Sequence, residues 1–284
     1  MRESAEAGAP VGVFDSGVGG LSVLRAIRRE LPGVLSLYVA DHAHVPYGPR
    51  PLADVRAFSE EIARYLLARG ARLIVVACNA ASAAALHHLR ETFPEVPFVG
   101  MEPAVKPAAE TTRTGKVGVL ATPATFQWAL FASVVERFAN GVELRTHTCP
   151  GLVAEIEAGN LQGPETRAIL EGALQPMVAK GIDTVVLGCT HYPFVIPLIQ
   201  QIVGPDVRVI DPAPAVARQV GRVLSQGAPG VVSAASAGGR TPVRVVTSGE
   251  PVRLSDLLPL FLGERLPSHR VRWSAGGTLE DASA

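Results

Sequence analysis

Short, fully apolar runs alternate with amphipathic segments along most of the chain. The runs at residues 73–77 and 184–188 are rich in β-branched side chains, which is typical of strands buried on both faces. Apolar positions at helical spacing predict helices over residues 21–30, 52–69, 81–91, 126–138, 164–180 and 216–224. This alternation predicts an α/β fold in which mainly parallel sheets are flanked by helices.

Glycine-rich and small-residue segments mark the ends of these elements. Gly70 and Gly181 each follow a predicted helix shortly before an apolar run, which is the position of a C-terminal cap. Residues 225–241 are rich in Gly, Ala, Ser and Pro and are expected to form a mobile loop. Residues 1–10 and 274–284 are expected to be disordered tails.

The apolar pattern repeats within the chain. Residues 11–16 resemble residues 117–122, each a short apolar strand followed by a hydroxyl residue. Each copy then leads through helical segments to an apolar strand that ends in a cysteine, Cys78 in the first and Cys189 in the second. The match predicts a duplicated α/β unit, although two buried strands can also resemble each other by chance.

The length of 284 residues is sufficient for two domains of ordinary size. The position of the second copy indicates an insertion within the first unit. We therefore expect one domain to comprise residues 1–99 plus 211–284, and the other to comprise residues 100–210.

Composition narrows the class of protein. Apolar residues make up 48% of the chain, and no apolar run approaches the roughly 18 residues of a membrane-spanning helix. The formal net charge is zero, without a basic cluster, which argues against nucleic acid or an anionic membrane as a partner. The first residues lack the apolar stretch of a signal peptide, and three cysteines in such a chain favour free thiols in a reducing cytoplasm.

Two cysteines are the strongest candidates for chemistry. Cys78 and Cys189 follow buried strands directly, at the sheet edge where open α/β folds bind ligands. Each precedes a predicted helix, whose N–H groups can stabilise a thiolate. One ionised and one protonated thiol on either side of a carbon can invert that centre by removing and returning a proton. The alternative, two small side chains packed in strands, leaves the adjacent Asn79, Thr190 and His191 unexplained.

Two further residues are candidates for assisting the thiols. Asp15 opens a glycine-rich turn at residues 15–20, whose N–H groups could bind an anionic group. We expect Asp15 to orient or deprotonate a thiol, with a helix N-cap as the alternative role. His191, two residues after Cys189, could act in the same way, or could be a buried structural histidine.

The residues present argue against a bound cofactor. The lysines are Lys106, Lys116 and Lys180, and none follows a candidate site strand, as a Schiff-base lysine for pyridoxal phosphate would. The sequence has no C-x-x-C pair of the kind that binds a metal ion. Cys149, which precedes Pro150, is interpreted as structural. We therefore expect chemistry without a cofactor or a metal.

The chain resembles the glutamate racemases of bacterial cell-wall synthesis from about Val11 to Gly263. The motifs that carry the resemblance, in family order, are residues 14–23, Pro46-Tyr47-Gly48, Ala77-Cys78-Asn79 and residues 188–193. The resemblance implies cofactor-independent interconversion of L- and D-glutamate for peptidoglycan synthesis, by a cytoplasmic enzyme with its site between two pseudo-symmetric α/β domains. It leaves open whether the protein is a homodimer.

The resemblance also implies roles for individual residues. Cys78 would take the α-proton from D-glutamate, assisted by Asp15, and Cys189 would take it from L-glutamate. His191 and Glu157 would assist Cys189, with Glu157 placed by the likeness of residues 149–159 to a family segment. The implied substrate contacts are Asp15, Ser16, Pro46, Tyr47, Gly48, Asn79, Ala80, Thr122, Thr125, Thr190 and His191.

The sequence departs from the family pattern at Ala80, where the family usually has Thr or Ser. The missing hydroxyl removes one hydrogen bond, worth about 0.5–1.5 kcal/mol, and puts affinity or substrate choice in question. Ala121 and Ala154 are milder departures. The alternatives are an aspartate or hydantoin racemase with the same thiols, a catalytically silent amino-acid-binding protein, and a Cys-His hydrolase.

Overall fold

A computed structural model of the chain describes residues 9–102, 104–126, 132, 135–137, 141–226 and 242–282. The strands are β1 (Val11–Asp15), β2 (Ser36–Ala40), β3 (Leu73–Val76), β4 (Phe98–Gly100), β5 (Lys116–Ala121), β6 (Glu143–Thr148), β7 (Thr184–Gly188), β8 (Arg208–Ile210), β9 (Val243–Thr247), β10 (Ser268–Trp273) and β11 (Leu279–Asp281). The helices are α1 (Leu21–Glu30), α2 (Leu52–Ala68), α3 (Asn79–Thr92), α4 (Val105–Thr111), α5 (Pro123–Phe126), α6 (Leu152–Glu157), α7 (Pro164–Val178), α8 (Ile196–Val203), α9 (Ala213–Ser225) and α10 (Pro251–Phe261), with a 3-10 turn at Tyr192–Val195 before α8.

The described strands form two sheets. One has the order β11-β10-β9-β2-β1-β3-β4, and the other has the order β6-β5-β7-β8. All neighbouring strands are parallel except β10 and β11, which are antiparallel. The α/β fold with parallel sheets and flanking helices is therefore confirmed.

The predicted repeat is visible in the strand order. The segment β2-β1-β3-β4 of the first sheet recurs as β6-β5-β7-β8 in the second. In both sheets the strand that is followed by a hydroxyl residue pairs with the strand that precedes a cysteine, since Phe14 is in register with Val76 and Ala121 with Gly188. The four carboxyl ends that carry candidate residues thus belong to two matching strand pairs.

The helices begin and end close to the predicted positions. α1 has the predicted bounds, while α2 and α7 end one and two residues early, at Ala68 and Val178. Gly70 and Gly181 follow these two helices with φ of 83° and 80°, a left-handed conformation that glycine adopts without strain. α3 begins two residues earlier than predicted, directly after Cys78.

Other predictions fall partly or wholly outside the described residues, or are wrong. Most of the helix predicted at 126–138 and of the loop predicted at 225–241 lies outside them. The prediction of a disordered tail at 274–284 is wrong for β11, which pairs with β10 around a turn. Leu279 is buried in that pairing, and Asp281 accepts a hydrogen bond from the Tyr65 hydroxyl at 2.7 Å.

One continuous set of buried side chains connects the two sheets. It includes Val13 and Leu24 from the side of the first sheet and Leu120, Leu174 and Leu187 from the side of the second. Burial of this apolar surface stabilises the arrangement in which the carboxyl ends of both sheets face a common space.

Candidate active site

A cavity of about 270 Å³ lies at the carboxyl ends of β1, β3, β5 and β7. Its lining consists of Ser16, Pro46, Tyr47, Gly48, Pro49, Cys78, Asn79, Ala80, Ala121, Thr122, Pro123, Thr148, Cys149, Pro150, Gly151, Val153, Cys189, Thr190, His191 and Tyr192. The structure therefore brings together both candidate thiols and most of the predicted substrate contacts. Among the described residues, no Lys or Arg lines this cavity.

The first thiol, Cys78, lies between the end of β3 and the start of α3. It occupies the N-cap position of α3 with extended backbone angles, and its carbonyl oxygen accepts the Ser82 N–H at 2.8 Å. Burial and the adjacent Asp15 carboxylate raise the pKa of the Cys78 thiol well above its usual range. Cys78 is therefore a protonated thiol in this arrangement.

Asp15, the last residue of β1, lies beside Cys78. It is fully buried, and its Oδ2 accepts the Gly20 N–H at 2.8 Å, while its Oδ1 has no partner among the described atoms. Burial raises the pKa of Asp15, and the charge of His191 and the neighbouring Cys78 thiol oppose that effect. The carboxyl group is thus placed to exchange a proton with Cys78, and it lies behind the cavity wall.

The second thiol, Cys189, has a different partner. It follows β7, and its Sγ lies 3.7 Å from His191 Nδ1. The helix predicted to follow this cysteine begins with the 3-10 turn, so an imidazole rather than a helical N-terminus is its nearest polar partner. Burial lowers the pKa of His191, but the hydrogen bonds to Cys189 and Glu157 outweigh it and raise the pKa well above its usual range. An imidazolium in this position stabilises a thiolate at Cys189.

Glu157, the last residue of α6, holds the other side of the histidine ring. His191 Nε2 lies 2.6 Å from Glu157 Oε1, which also accepts the Val18 N–H at 2.9 Å. Burial raises the pKa of Glu157, but its hydrogen bonds to His191 and His42 dominate and hold the pKa well below its usual range. Glu157 is therefore an ionised carboxylate, reaching from the side of the second sheet to the glycine-rich turn after β1.

This contact corrects the role predicted for the glycine-rich turn. Its N–H groups do bind anionic groups, but these are the protein's own carboxylates, Glu157 at Val18 and Asp15 at Gly20. A Cβ on Gly17 would lie 1.9 Å from Glu157 Oε1, and a Cβ on Gly19 would lie 2.5 Å from the His191 ring. Glycine is required here because Glu157 and His191 pack directly against the backbone.

Sequence reasoning missed two residues of this network. His42 Nε2 lies 3.1 Å from Glu157 Oε2, and His42 Nδ1 lies 2.8 Å from Thr247 Oγ1. Both residues stand at the carboxyl ends of strands of the first sheet, β2 and β9. The rule that singled out the two cysteines, a polar residue after an apolar strand, also applies to them.

The Pro46-Tyr47-Gly48 segment is fixed to the first sheet by Asp41. The Tyr47 hydroxyl donates to Asp41 Oδ2 at 2.7 Å, and the Trp273 indole N–H donates to Asp41 Oδ1 at 2.8 Å. Burial raises the pKa of Asp41, but hydrogen bonds from His44 and Tyr47 outweigh it and lower the pKa below its usual value. The predicted substrate loop is thus held by an ionised carboxylate.

The remaining wall carries polar groups that are free to bind a ligand. Asn79 is buried and lines the cavity, and neither its Nδ2 nor its Oδ1 has a partner among the described atoms. Thr125, also a predicted substrate contact, is buried and does not line the cavity. Its hydroxyl donates to the Gly188 carbonyl at 3.2 Å and lies 3.2 Å from the Thr122 hydroxyl, which does line the cavity.

The third thiol also reaches the cavity. Cys149 is buried and lines the cavity together with Tyr192, and all three cysteines are free. Burial and the neighbouring Cys189 raise the pKa of Cys149 to about 12. It therefore stays protonated near neutral pH and contributes a polarisable wall to the site.

Two other kinds of site were sought in the described part of the chain. No group of three or more His, Cys, Asp or Glu side chains there is arranged to hold a metal ion. None of the described helices is both long and apolar enough to span a membrane.

Most of the chain matches a known enzyme family. The model of the Asp/Glu/Hydantoin racemase family matches residues 11–220. The chain belongs to this family. The expectation of a racemase, an isomerase, is thereby confirmed at the level of the family.

Individual racemases are similar over nearly the whole chain. The glutamate racemase of Pseudomonas aeruginosa is 54% identical over 255 residues, covering 90% of this chain and 94% of the relative. The Escherichia coli glutamate racemase, solved with L-glutamate and the activator UDP-MurNAc-Ala, has a TM-score of 0.80 at 30% identity and covers 97% of this chain and 100% of that chain. The Francisella tularensis enzyme, solved with D-glutamate, has a TM-score of 0.78 at 27% identity and covers 93% of this chain and 97% of that chain.

Proposed function

We propose that the protein interconverts L- and D-glutamate with Cys78 and Cys189 as the two acid/base groups. The observation that carries the proposal is that both thiols line one cavity while their partners differ, Asp15 for Cys78 and His191 for Cys189. The similar enzymes named above support this substrate, since one was solved with L-glutamate and another with D-glutamate.

The charge states suggest the direction in which the resting site acts. A protonated Cys78 and a thiolate–imidazolium pair at Cys189 and His191 would accept L-glutamate first. The Cys189 thiolate takes the α-proton. The electron pair of the broken Cα–H bond remains on Cα as a carbanion. Cys78 then donates its proton to the opposite face, which yields D-glutamate and leaves Cys78 as the thiolate.

The resulting site is ready for the reverse reaction. With Cys78 ionised and Cys189 protonated, D-glutamate loses its α-proton to Cys78 and regains one from Cys189. When the site returns to its resting form, Cys78 regains a proton and Cys189 gives one up, and Asp15, which lies beside Cys78, can relay the incoming proton. Each thiol therefore alternates between acid and base.

Neutral donors would hold the substrate carboxylates, since no Lys or Arg lines the cavity. Asn79 has both amide atoms available, and Thr122 and Thr190 place hydroxyl-bearing side chains on the wall. Hydrogen bonds to the α-carboxylate strengthen as negative charge develops on the carbanion, which lowers the barrier to proton removal.

We further propose that the two sheets belong to two domains, divided as the sequence predicts, with the site between them. The product D-glutamate would supply peptidoglycan synthesis, and no cofactor would be needed, because the thiols supply both protons. The chemistry described involves no redox change, so thiols and carboxyl groups suffice.

Incubation of purified protein with L-glutamate in D₂O tests the function. Loss of the α-proton signal by NMR and formation of D-glutamate by chiral chromatography, without added cofactor, are the expected results. L-aspartate and a hydantoin are run in parallel. Turnover of either in place of glutamate would reassign the substrate, and no exchange with any of the three would favour a binding protein.

A further inference from the structure

The hydrogen-bond network beyond Glu157 points to a further pair of residues that serve one thiol and not the other. Glu157 Oε1 is used by His191 and the Val18 N–H, and its Oε2 is used by His42 at 3.1 Å. His42 is in turn bonded to Thr247, which lies on a different strand of the first sheet. The carboxylate that orients His191 is thus held from the opposite sheet.

The protonation of His42 follows from its two neighbours. The ionised Glu157 carboxylate needs a donor, so His42 Nε2 carries a proton. In the neutral ring Nδ1 is then an acceptor. Thr247 Oγ1 accepts the Gly249 N–H at 3.0 Å and can donate its own proton to Nδ1, 2.8 Å away, so both ends of the ring are satisfied by this tautomer.

A surface cavity lies beside Glu157, so the bond from His42 separates the Glu157 carboxylate from solvent. It has a volume of about 230 Å³, and its lining includes His42, Glu157, Glu250 and Arg253. Without the His42 bond, the Glu157 carboxylate is free to turn towards this cavity and be hydrated there. The charged and titratable groups around Glu157 are then His191 and Asp15 on the buried side, and His42, Glu250 and Arg253 on the cavity side.

With His42 in place, the backbone leaves little room for another arrangement of this pair. A Cβ on Gly249 would lie 2.7 Å from the His42 Cβ, and a Cβ on Gly17 would lie 1.9 Å from Glu157 Oε1. The histidine and the carboxylate are therefore packed between two glycines, one on each side. Close packing of this kind fixes the orientation of a hydrogen-bonded pair.

We propose that His42, held by Thr247, is a positioning residue for Glu157 and hence for the Cys189–His191 pair alone. The inference rests on the proposed function, because only that function makes the Cys189–His191 pair an acid/base group. The experiment below does not depend on racemase activity. The Cys78–Asp15 pair has no bond to His42 or Thr247 in the structure and senses His191 and Glu157 only through their charge, so the smaller change expected at Cys78 provides an internal reference.

The test measures the reactivity of both thiols in the same molecule without substrate. Alkylation by iodoacetamide is followed at Cys189 and at Cys78 by mass spectrometry of the two peptides, over a range of pH. The variants are His42→Leu, which removes the donor, His42→Gln, which retains an N–H donor, and Thr247→Val, which removes the hydroxyl at nearly constant shape. His87→Leu, at a side chain that is 89% exposed, is the matched control.

His42→Leu removes one hydrogen bond from the network that holds Glu157. This loss is expected to slow alkylation of Cys189 at pH 7 about 3- to 10-fold. The midpoint of its pH profile should move to higher pH, because a displaced Glu157 no longer holds His191 as the imidazolium. Cys78, which senses this network only through charge, should change clearly less than Cys189. His42→Gln should recover most of the loss, and Thr247→Val should change Cys189 in the same direction.

Three results would overturn the proposal. Equal changes at both thiols would show a general structural role for His42, and a His42→Gln variant as slow as His42→Leu would show that the donated bond is irrelevant. Unchanged Cys189 reactivity in both His42→Leu and Thr247→Val would show that the pair has no role. Because alkylation needs no glutamate, absence of racemisation by the wild type would count against the proposed function only.

Discussion

Replacement of Glu157 by Gln tests how the Cys189 half of the site works. The substitution keeps the shape of the side chain but removes the charge that His191 faces at 2.6 Å. A hydrogen bond to a charged group contributes about 1.5–3 kcal/mol. Loss of the carboxylate from the reacting pair is therefore expected to slow racemisation of glutamate about 10- to 150-fold.

The pH profile of Glu157→Gln should change in a defined direction. Glu157 helps to raise the pKa of His191, and without it the burial that lowers this pKa remains. The imidazolium is then lost at a lower pH than in the wild type, so the alkaline limb of kcat/KM should move to lower pH. The pair is also less able to hold a thiolate in acid, and the bell-shaped profile should become narrower.

The assay is the rate of formation of each enantiomer by chiral chromatography between about pH 5 and pH 10, a range that spans the ordinary pKa values of His and Cys. Glu155→Gln is the matched control, because Glu155 lies on the same helix and bonds to Asn160 outside the cavity. Activity within about 3-fold of the wild type, with both limbs unchanged, would refute the reasoning, since 3-fold is less than the 1.5 kcal/mol lower bound.

Three further predictions address other parts of the molecule. Cys78→Ala should abolish exchange of the α-proton of D-glutamate in D₂O and Cys189→Ala that of L-glutamate, as followed by NMR; loss of both exchanges from only one of the variants would contradict the two-base assignment. Ala80→Thr adds a hydroxyl at the cavity wall and should lower KM for glutamate about 2- to 10-fold; an unchanged or higher KM, with Ala80→Val as the shape control, would remove this hydroxyl from substrate binding. Asp183, whose pKa burial raises but hydrogen bonds from Thr112 and the Thr114 N–H hold at about 2, stabilises the fold fully above its ordinary pKa and loses this contribution as pH falls towards about 2. Asp183→Asn should therefore cost about 1–3 kcal/mol in urea unfolding at pH 7 and flatten the fall in stability between about pH 4 and pH 2; an acid dependence equal to that of the wild type would contradict this.

Much of the fold could be predicted because strands that are buried on both faces of a sheet require continuous runs of apolar residues. The apolar runs before Cys78 and Cys189 permit few arrangements other than central parallel strands, and polar residues at their ends must meet at one sheet edge. The two thiols, Asn79 and His191 were placed by this rule alone. Each of them lines the cavity.

Other features depend on contacts between segments that are distant in the sequence. Glu157 ends a helix of only six residues and reaches a turn 139 positions earlier, a pairing that periodicity does not encode. Only the family resemblance placed it in the site. His42 and Thr247 carried the same strand-end signal as the cysteines, but their relation to Glu157 depends on the side-chain geometry of three separate segments.

The failed prediction for the C-terminal segment has a local cause. The polar and small residues after Trp273 predict a disordered tail. Gly277, with φ of 79°, instead forms a turn after which Leu279 pairs with Trp273 in an antiparallel arrangement. A single buried leucine gives too weak a periodic signal for a strand. The pairing also places Asp281 against Tyr65 of the neighbouring helix.

The position of the two carboxyl groups has a consequence for how this enzyme could diversify. Asp15 and Glu157 stand behind the thiol and the histidine that they serve, and neither lines the cavity. Wall positions such as Ala80 and Thr122 can therefore be exchanged for other side chains while the proton-handling groups keep their partners. A library confined to these wall positions would explore new amino-acid substrates at constant acid/base chemistry, whereas the glycine turn tolerates no such variation.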